Sequence, residues 1–210
     1  MVGLSRAPVA YARVPVLCPG GTVVCLACGP SLHPDDVDAV RGRATVIAIN
    51  DAWRLAPWAD ALIASDAAWW QHYQGVPAFA GLKYCLEPAA ARLPGVQILR
   101  NTGHQGLEQD PSGVRTGRNT GAAAVNLAVH FGAARIVLLG YDMEATDEAH
   151  SHFFGAHPRG LRGGSPYALF RTMFAAMAGP LTAAGVEVIN CSRHTALTCF
   201  PRQPLAEVFP

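Results

Sequence analysis

What these 210 residues lack narrows their reading first. There is no G-x-G-x-x-G, so hydride transfer on a dinucleotide loses its usual support. There is no G-x-x-x-x-G-K-[ST] either, and P-loop phosphoryl transfer loses its signature with it. No apolar run is long enough to span a bilayer: the longest, near 122–129, carries Asn126 and ends at His130. The first residues hold an arginine but no apolar stretch with a cleavage site, so no signal peptide is expected. Charge is scarce, at 15% of residues and a formal net of +1. No basic face is declared, and stable nucleic-acid binding is not expected. Internal repeats and low-complexity tracts are also absent. What is plentiful is hydrophobic side chain, at 50%, enough for a sizeable core without long disorder.

Six cysteines stand at 18, 25, 28, 85, 191 and 199. Several fall in strand-like apolar runs, where a reduced cysteine acts as a small hydrophobe. That usage suggests a reducing, cytoplasmic setting. Cys25-x-x-Cys28 has the spacing of a zinc or redox pair. A zinc site needs a second pair or histidines at ligand spacing, and Cys191 and Cys199 are eight apart. The pair is read as buried, reduced and metal-free.

Residues 1–21 hold three prolines and no clear period, and read as a surface arm. From 22 to 210 the pattern predicts one nucleotide-binding α/β domain. Strand candidates are 22–28, 45–49, 60–65, 96–99, 135–140 and 186–190. Helix candidates are 34–41, 67–74, 119–132 and 166–184, the last with Gly179-Pro180 inside, which should kink or split it. Strand and helix in alternation imply a Rossmann-like, mostly parallel sheet with helices on both faces. Two polar stretches, 101–118 and 141–165, read as loops. The second follows a strand end and is expected to be a mobile, lid-like loop.

Four segments should meet at the carboxyl edge of that sheet. "TVVCLACGPSL" (22–32) ends a strand in Gly29-Pro30-Ser31, where glycine admits a close approach and the serine and its neighbours can donate to a phosphate. Asn50 ends the next strand, in "IAINDAW", and can read a base or ribose. Ser65 and Asp66 end a third. Arg118, Asn119, Thr120 and Gly121 open a helix, whose N-terminus suits an anion. Each alone also fits an ordinary cap or turn. The 141–165 loop adds Asp142, Asp147, Glu148, His150, His152 and His157, a set suited to general acid/base work, to metal binding, or to a solvated acidic loop.

Taken in order, "ACGPSL" (27–32), "AIND" (48–51), "RNTGAAAVNLAVHFGAARIVLLGYDM" (118–143), "SHFFGAHP" (151–158) and "VINCSRHTAL" (188–197) resemble a diffuse bacterial and phage superfamily. It comprises small lipooligosaccharide sialyltransferases, motility accessory factors that glycosylate flagellin, and 6-hydroxymethylpterin pyrophosphokinase. The resemblance covers about residues 22–200. It implies that Gly29, Pro30 and Ser31 face a nucleotide phosphate and that Asn50 touches the nucleotide. It implies that Asn119, Thr120 and Gly121 match a nucleotide-binding T-S-G, and that Gly140 and Asp142 match a G-x-D. Asp66 falls where the sialyltransferases have asparagine, a departure that weakens cytidine and sialic acid as its ligands. The family's general base aligns first with His157 and second with His152, and Tyr167 lies near the position of tyrosines that help the phosphate leave.

The implied activity is a glycosyltransferase with a nucleotide-sugar donor, an unknown acceptor and a histidine base, requiring no metal and encoded by a phage or prophage. One alternative is a magnesium-dependent nucleotide pyrophosphokinase, with Asp66, Asp142 and Asp147 as metal ligands. The other is a non-catalytic nucleotide-binding phage module. Fold alone does not choose among them.

Overall fold

Continuous apolar strands must be covered on both faces, and that requirement builds the molecule. The computed structural model describes residues 10–144, 152–155 and 165–210. Seven strands form one sheet: β1 (Thr22–Leu26), β2 (Thr45–Ile49), β3 (Ala61–Ile63), β4 (Leu82–Cys85), β5 (Val96–Ile98), β8 (Arg135–Leu139) and β9 (Glu187–Asn190). Two further strands, β6 (Arg100–Asn101) and β7 (Gly113–Val114), pair with each other. The large sheet runs β5-β4-β3-β2-β1-β8-β9, and every pairing in it is parallel.

Side chains alternate across each strand, so β1 feeds two cores. Val23, Cys25 and Ala27 join one face with helices α3 (Thr120–His130) and α4 (Tyr167–Ala183). Val24, Leu26 and Cys28 join the other with α1 (Pro34–Val40) and α2 (Ala67–His72). A short α5 (Leu205–Val208) packs on that second face. Cys25 and Cys28 are both buried free thiols, and burial pushes Cys25 up to about 12 and Cys28 higher still.

Three details differ from expectation. β4 was hidden because "LKYC" carries Lys83 in an interior strand. That lysine is only 8% exposed and donates to the carbonyls of Gly75 and Val76 at 2.9 and 3.0 Å, which end the α2 turn. The 101–118 stretch is stitched rather than loose. Buried Asn126 accepts from the amides of Glu108 (2.8 Å) and Arg115 (2.9 Å) and donates to the Glu108 carbonyl (3.0 Å). Finally, α4 continues through Pro180 as one element. Proline leaves the carbonyl four residues back unpaired, but Ala176 and Pro180 are both exposed, so water can reach that group.

The topology positions the site. The chain adds β2 to β5 on one side of β1, then returns to place β8 and β9 on the other. The connection after β1 therefore leaves toward α1, and the one after β8 toward α4. A crevice opens between their carboxyl ends, where open α/β sheets bind ligands. Register keeps those ends level, since Leu26 pairs with Ala48 on one side and Leu139 on the other.

Candidate functional site

The two connections that flank the crevice are locked together. Gly29 donates its amide to the Gly140 carbonyl at 2.9 Å. A methyl group on Gly29 would overlap the Asp142 carboxylate and that same carbonyl. The lack of a side chain at Gly29 thus serves Asp142 directly. Gly140 has φ +70, and a Cβ there would meet the Ala27 carbonyl at 2.9 Å and Leu32 at 3.0 Å. Ser31 donates its amide to one Asp142 oxygen (2.8 Å) and its hydroxyl to the other (2.6 Å). Both donors expected to face a phosphate are occupied by this carboxylate. Asp142 is 3% exposed, and its pKa is raised by desolvation in spite of the two Ser31 bonds.

The segment 190–197 supports this turn from behind. The Ser192 hydroxyl accepts from the Tyr141 amide (2.8 Å), Thr195 donates to the Tyr141 carbonyl (2.6 Å), and the Ala196 amide donates to the Asp142 carbonyl (2.7 Å). His194 pairs with Glu144 at 2.6 Å. Tyr141 itself is buried and donates its phenol to the Gly121 carbonyl at 3.1 Å, joining the β8 turn to α3.

The helix side is built differently. Asn119 is the N-cap of α3: its side-chain oxygen accepts from the Ala122 amide (2.8 Å), and its amide donates to the Gly117 carbonyl (2.9 Å). Both ends of that side chain are engaged in shaping the turn. The Thr120 hydroxyl bonds Ser65 at 2.9 Å, tying α3 to the end of β3. The amides of Thr120 and Gly121 lie in the first turn, where no carbonyl of the helix reaches them. Arg118, just before the cap, is exposed and held at φ +56. Asn50, at the end of β2, is held at φ +48, and its side chain makes no hydrogen bond among the described residues. That conformation is uncommon for a residue with a side chain, and asparagine tolerates it best.

These parts enclose a cleft of about 130 Å³. Its walls include Gly29, Pro30, Asn50, Asn119, Thr120, Gly121, Gly140, Asp142 and His152. Ser31, Asp66 and Arg118 do not line it. Asp66 is exposed, and its pKa is raised by desolvation and then by Glu87, whose carboxylate accepts from the Ala67 amide at 2.7 Å. His152 reaches the cleft because its segment is pinned: the Phe153 amide donates to the Cys28 carbonyl at 3.1 Å. His157 lies outside the described residues, as do Asp147, Glu148 and His150.

For magnesium, Asp142 is tied to Ser31 through both oxygens and Asp66 stands off the cleft. The second carboxylate on the cleft wall, Glu144, is paired with His194. Among the described residues no group of three His, Cys, Asp or Glu side chains could hold a metal ion, and no helix is long and apolar enough to cross a membrane.

No family model and no curated protein matches this sequence. Among solved structures, the Maf glycosyltransferase from Magnetospirillum magneticum AMB-1 superposes with a TM-score of 0.64 at 14% identity, over 94% of this chain. The sialyltransferase CstII from Campylobacter jejuni superposes with a TM-score of 0.56 at 12% identity, over 93% of this chain and 87% of its own. That structure was determined with a substrate analogue, cytidine-5'-monophosphate. The fold is the one these two transferases share. This chain spans 36% of the Maf chain.

Sequence reasoning missed Glu144 and Phe170 as cleft walls and gave Tyr167 only a place nearby. It also missed that Ser192, Thr195 and His194 hold the β8 turn. The "VINCSRHTAL" motif was the available signal, since polar residues crowd directly after a strand that ends at the same sheet edge.

Proposed function

We propose that this protein is a nucleotide-sugar-dependent glycosyltransferase that works in the β1/β8 cleft. One observation carries the reading: at the strand-order reversal, polar groups of three elements face one space. They are the Asn50 side chain, the first-turn amides of α3, and the His152 imidazole. A transferase fold shared with a nucleotide-bound sialyltransferase supports it.

The chemistry follows from the placement. The Thr120 and Gly121 amides, with the positive end of α3, hold the donor's phosphate and stabilise it as it departs. Asn50 fixes the nucleotide. The acceptor hydroxyl attacks the anomeric carbon as the sugar–phosphate bond breaks and its electron pair stays on the phosphate oxygen. A histidine takes the hydroxyl proton. Of the two candidates, His152 is described and lines the cleft, while His157 lies outside the described residues. Asp142, gripped by Ser31, keeps the floor in shape.

The test is turnover with a panel of sugar nucleotides, with and without a chelator. Nucleotide release that survives chelation and is lost in His152→Ala or His157→Ala supports the reading. Turnover that needs both ATP and magnesium would replace it with a pyrophosphokinase. Nucleotide binding without turnover across the panel, unaffected by either histidine substitution, would replace it with a binding module.

A further inference from the structure

Asn50 lines the cleft at φ +48, a conformation that persists only where the surrounding structure holds it. Which directions a side chain can take depends on the backbone beneath it. Whatever holds this bend therefore also aims the Asn50 amide.

The bend is held on both sides. Before it, the Cys28 thiol donates to the Ile49 carbonyl at 3.1 Å, fastening the end of β2 to the end of β1. After it stands Asp51, which is fully buried and does not line the cleft. A buried carboxylate costs stability unless its oxygens are hydrogen-bonded. One Asp51 oxygen accepts from the Trp69 indole N–H at 3.0 Å, and the other accepts from the Tyr73 phenol. Trp69 lies in α2 and Tyr73 is its C-cap, four residues on, so one helix face presents both donors. Their rings pack with centroids 4.8 Å apart, which fixes the donors relative to each other. Burial, and then the bond to Asp51, pushes the Tyr73 phenol well above its usual value, so it stays a donor. Asp51 is thus satisfied in one placement, and Asn50 is the residue directly before it.

We propose that Asp51 and Tyr73 are positioning residues for nucleotide binding: through them α2 sets the bend at Asn50, and so the direction of the side chain that meets the nucleotide. This rests on the reading above, in which Asn50 fixes the nucleotide. Neither Asp51 nor Tyr73 touches the ligand. Removing their bond leaves the Asn50 amide present but free to point several ways, and binding weakens through lost preorganisation.

Calorimetry on the full chain tests it, with whichever of CMP, UMP, AMP and GMP binds the wild type most tightly. Tyr73→Phe keeps the ring and removes the phenol hydroxyl, and should weaken that nucleotide about tenfold in protein that is still folded. Asp51→Asn should weaken it too. A residue that only supported the fold would lower the melting temperature and leave affinity alone. The deciding measurement is the cycle with Asn50→Gly. On that background Tyr73→Phe should change affinity by less than about twofold, because the side chain it aims is gone. Unchanged affinity in Tyr73→Phe, or the same loss on top of Asn50→Gly, would overturn the proposal. So would a wild type that binds none of the four nucleotides. If Tyr73 and Asn50 are coupled but no sugar nucleotide is turned over, the positioning role is upheld and the glycosyltransferase reading falls. If sugar nucleotides are turned over while Tyr73→Phe binds as the wild type does, the glycosyltransferase reading stands and the positioning role falls.

Discussion

The two ends of α3 border two hollows, and the larger is the less informative. At the N-terminal end lies the cleft of about 130 Å³. At the other end a concavity of about 790 Å³ opens between the 13–16 arm, the 105–111 loop and the last turns of α4. The larger hollow is walled by Val14, Val16, Leu107 and Val129, with polar groups whose bonds close on their own loop. His130, for one, faces the Gly113 carbonyl (2.9 Å) and the Asn126 amide (3.3 Å). At the small cleft the backbone is bent into the left-handed region at Asn50, Gly140 and Met143. Such conformations cost energy and persist where the surrounding structure holds them, commonly at functional sites. Here strain and uncommitted donors mark the site better than volume does.

Four tests sharpen or break that contrast. The largest effect is expected at the cleft's proton carrier: His152→Ala should lower turnover by roughly 10²–10⁴ with nucleotide affinity nearly intact. Steady-state kinetics beside calorimetry reads both, and full activity in His152→Ala moves the base to His157. Next, Gly29→Ala forces a methyl group into the Asp142 carboxylate and should destabilise the fold by about 1–3 kcal/mol. Gly179→Ala, in α4 with nothing within 4 Å, should instead stabilise by about 0.5–1 kcal/mol. Denaturant unfolding compares the two, and equal midpoints would show that the β1/β8 turn is not tight. Third, Asn50→Gly keeps the backbone conformation and removes the side chain, so nucleotide affinity should fall by about 1–3 kcal/mol without loss of stability. Asn50→Ala should lose affinity and stability together, because alanine is strained at φ +48.

The smallest effect belongs to the far end and concerns pH. Burial lowers the His130 pKa, against the Gly113 carbonyl and the charges of Glu108 and Asp110. A neutral buried histidine contributes stability above its unfolded value near 6.5, and loses it as pH falls through the lower folded value. The wild type should therefore lose more stability than His130→Gln between pH 7 and pH 5, while nucleotide affinity at pH 7 stays the same. Melting curves across that range decide it, and parallel curves would contradict the assignment.

Much of this was legible in the residues. "RIVLL" and "TVVCL" read as strands because burial on both faces leaves no polar position, and the "GRNTG" helix start is a cap by its chemistry. The convergence of Asn50, Gly121 and Gly140 followed from their places after parallel strands. What could not be read was the partner of each polar atom. Ser31 and a helix-start asparagine look the same whether they hold a ligand or the protein, and here Ser31 holds Asp142 while Asn119 caps α3. Lys83 hid a strand because its ammonium finds carbonyls only in the folded chain. Arg54 and Phe154 are 100 residues apart, and no local pattern announces that they meet.

The central claim is that nucleotides bind at the N-terminal end of α3 and not in the larger hollow. Amide chemical-shift mapping on titration with CMP, UMP, AMP and GMP tests it directly. For at least one nucleotide, the account predicts shifts gathered at Gly29, Asn50, Thr120, Gly121 and Gly140, with Gln105, Glu108 and His130 unmoved. Shifts gathered at Gln105, Glu108 and His130, or none with any of the four, would contradict it.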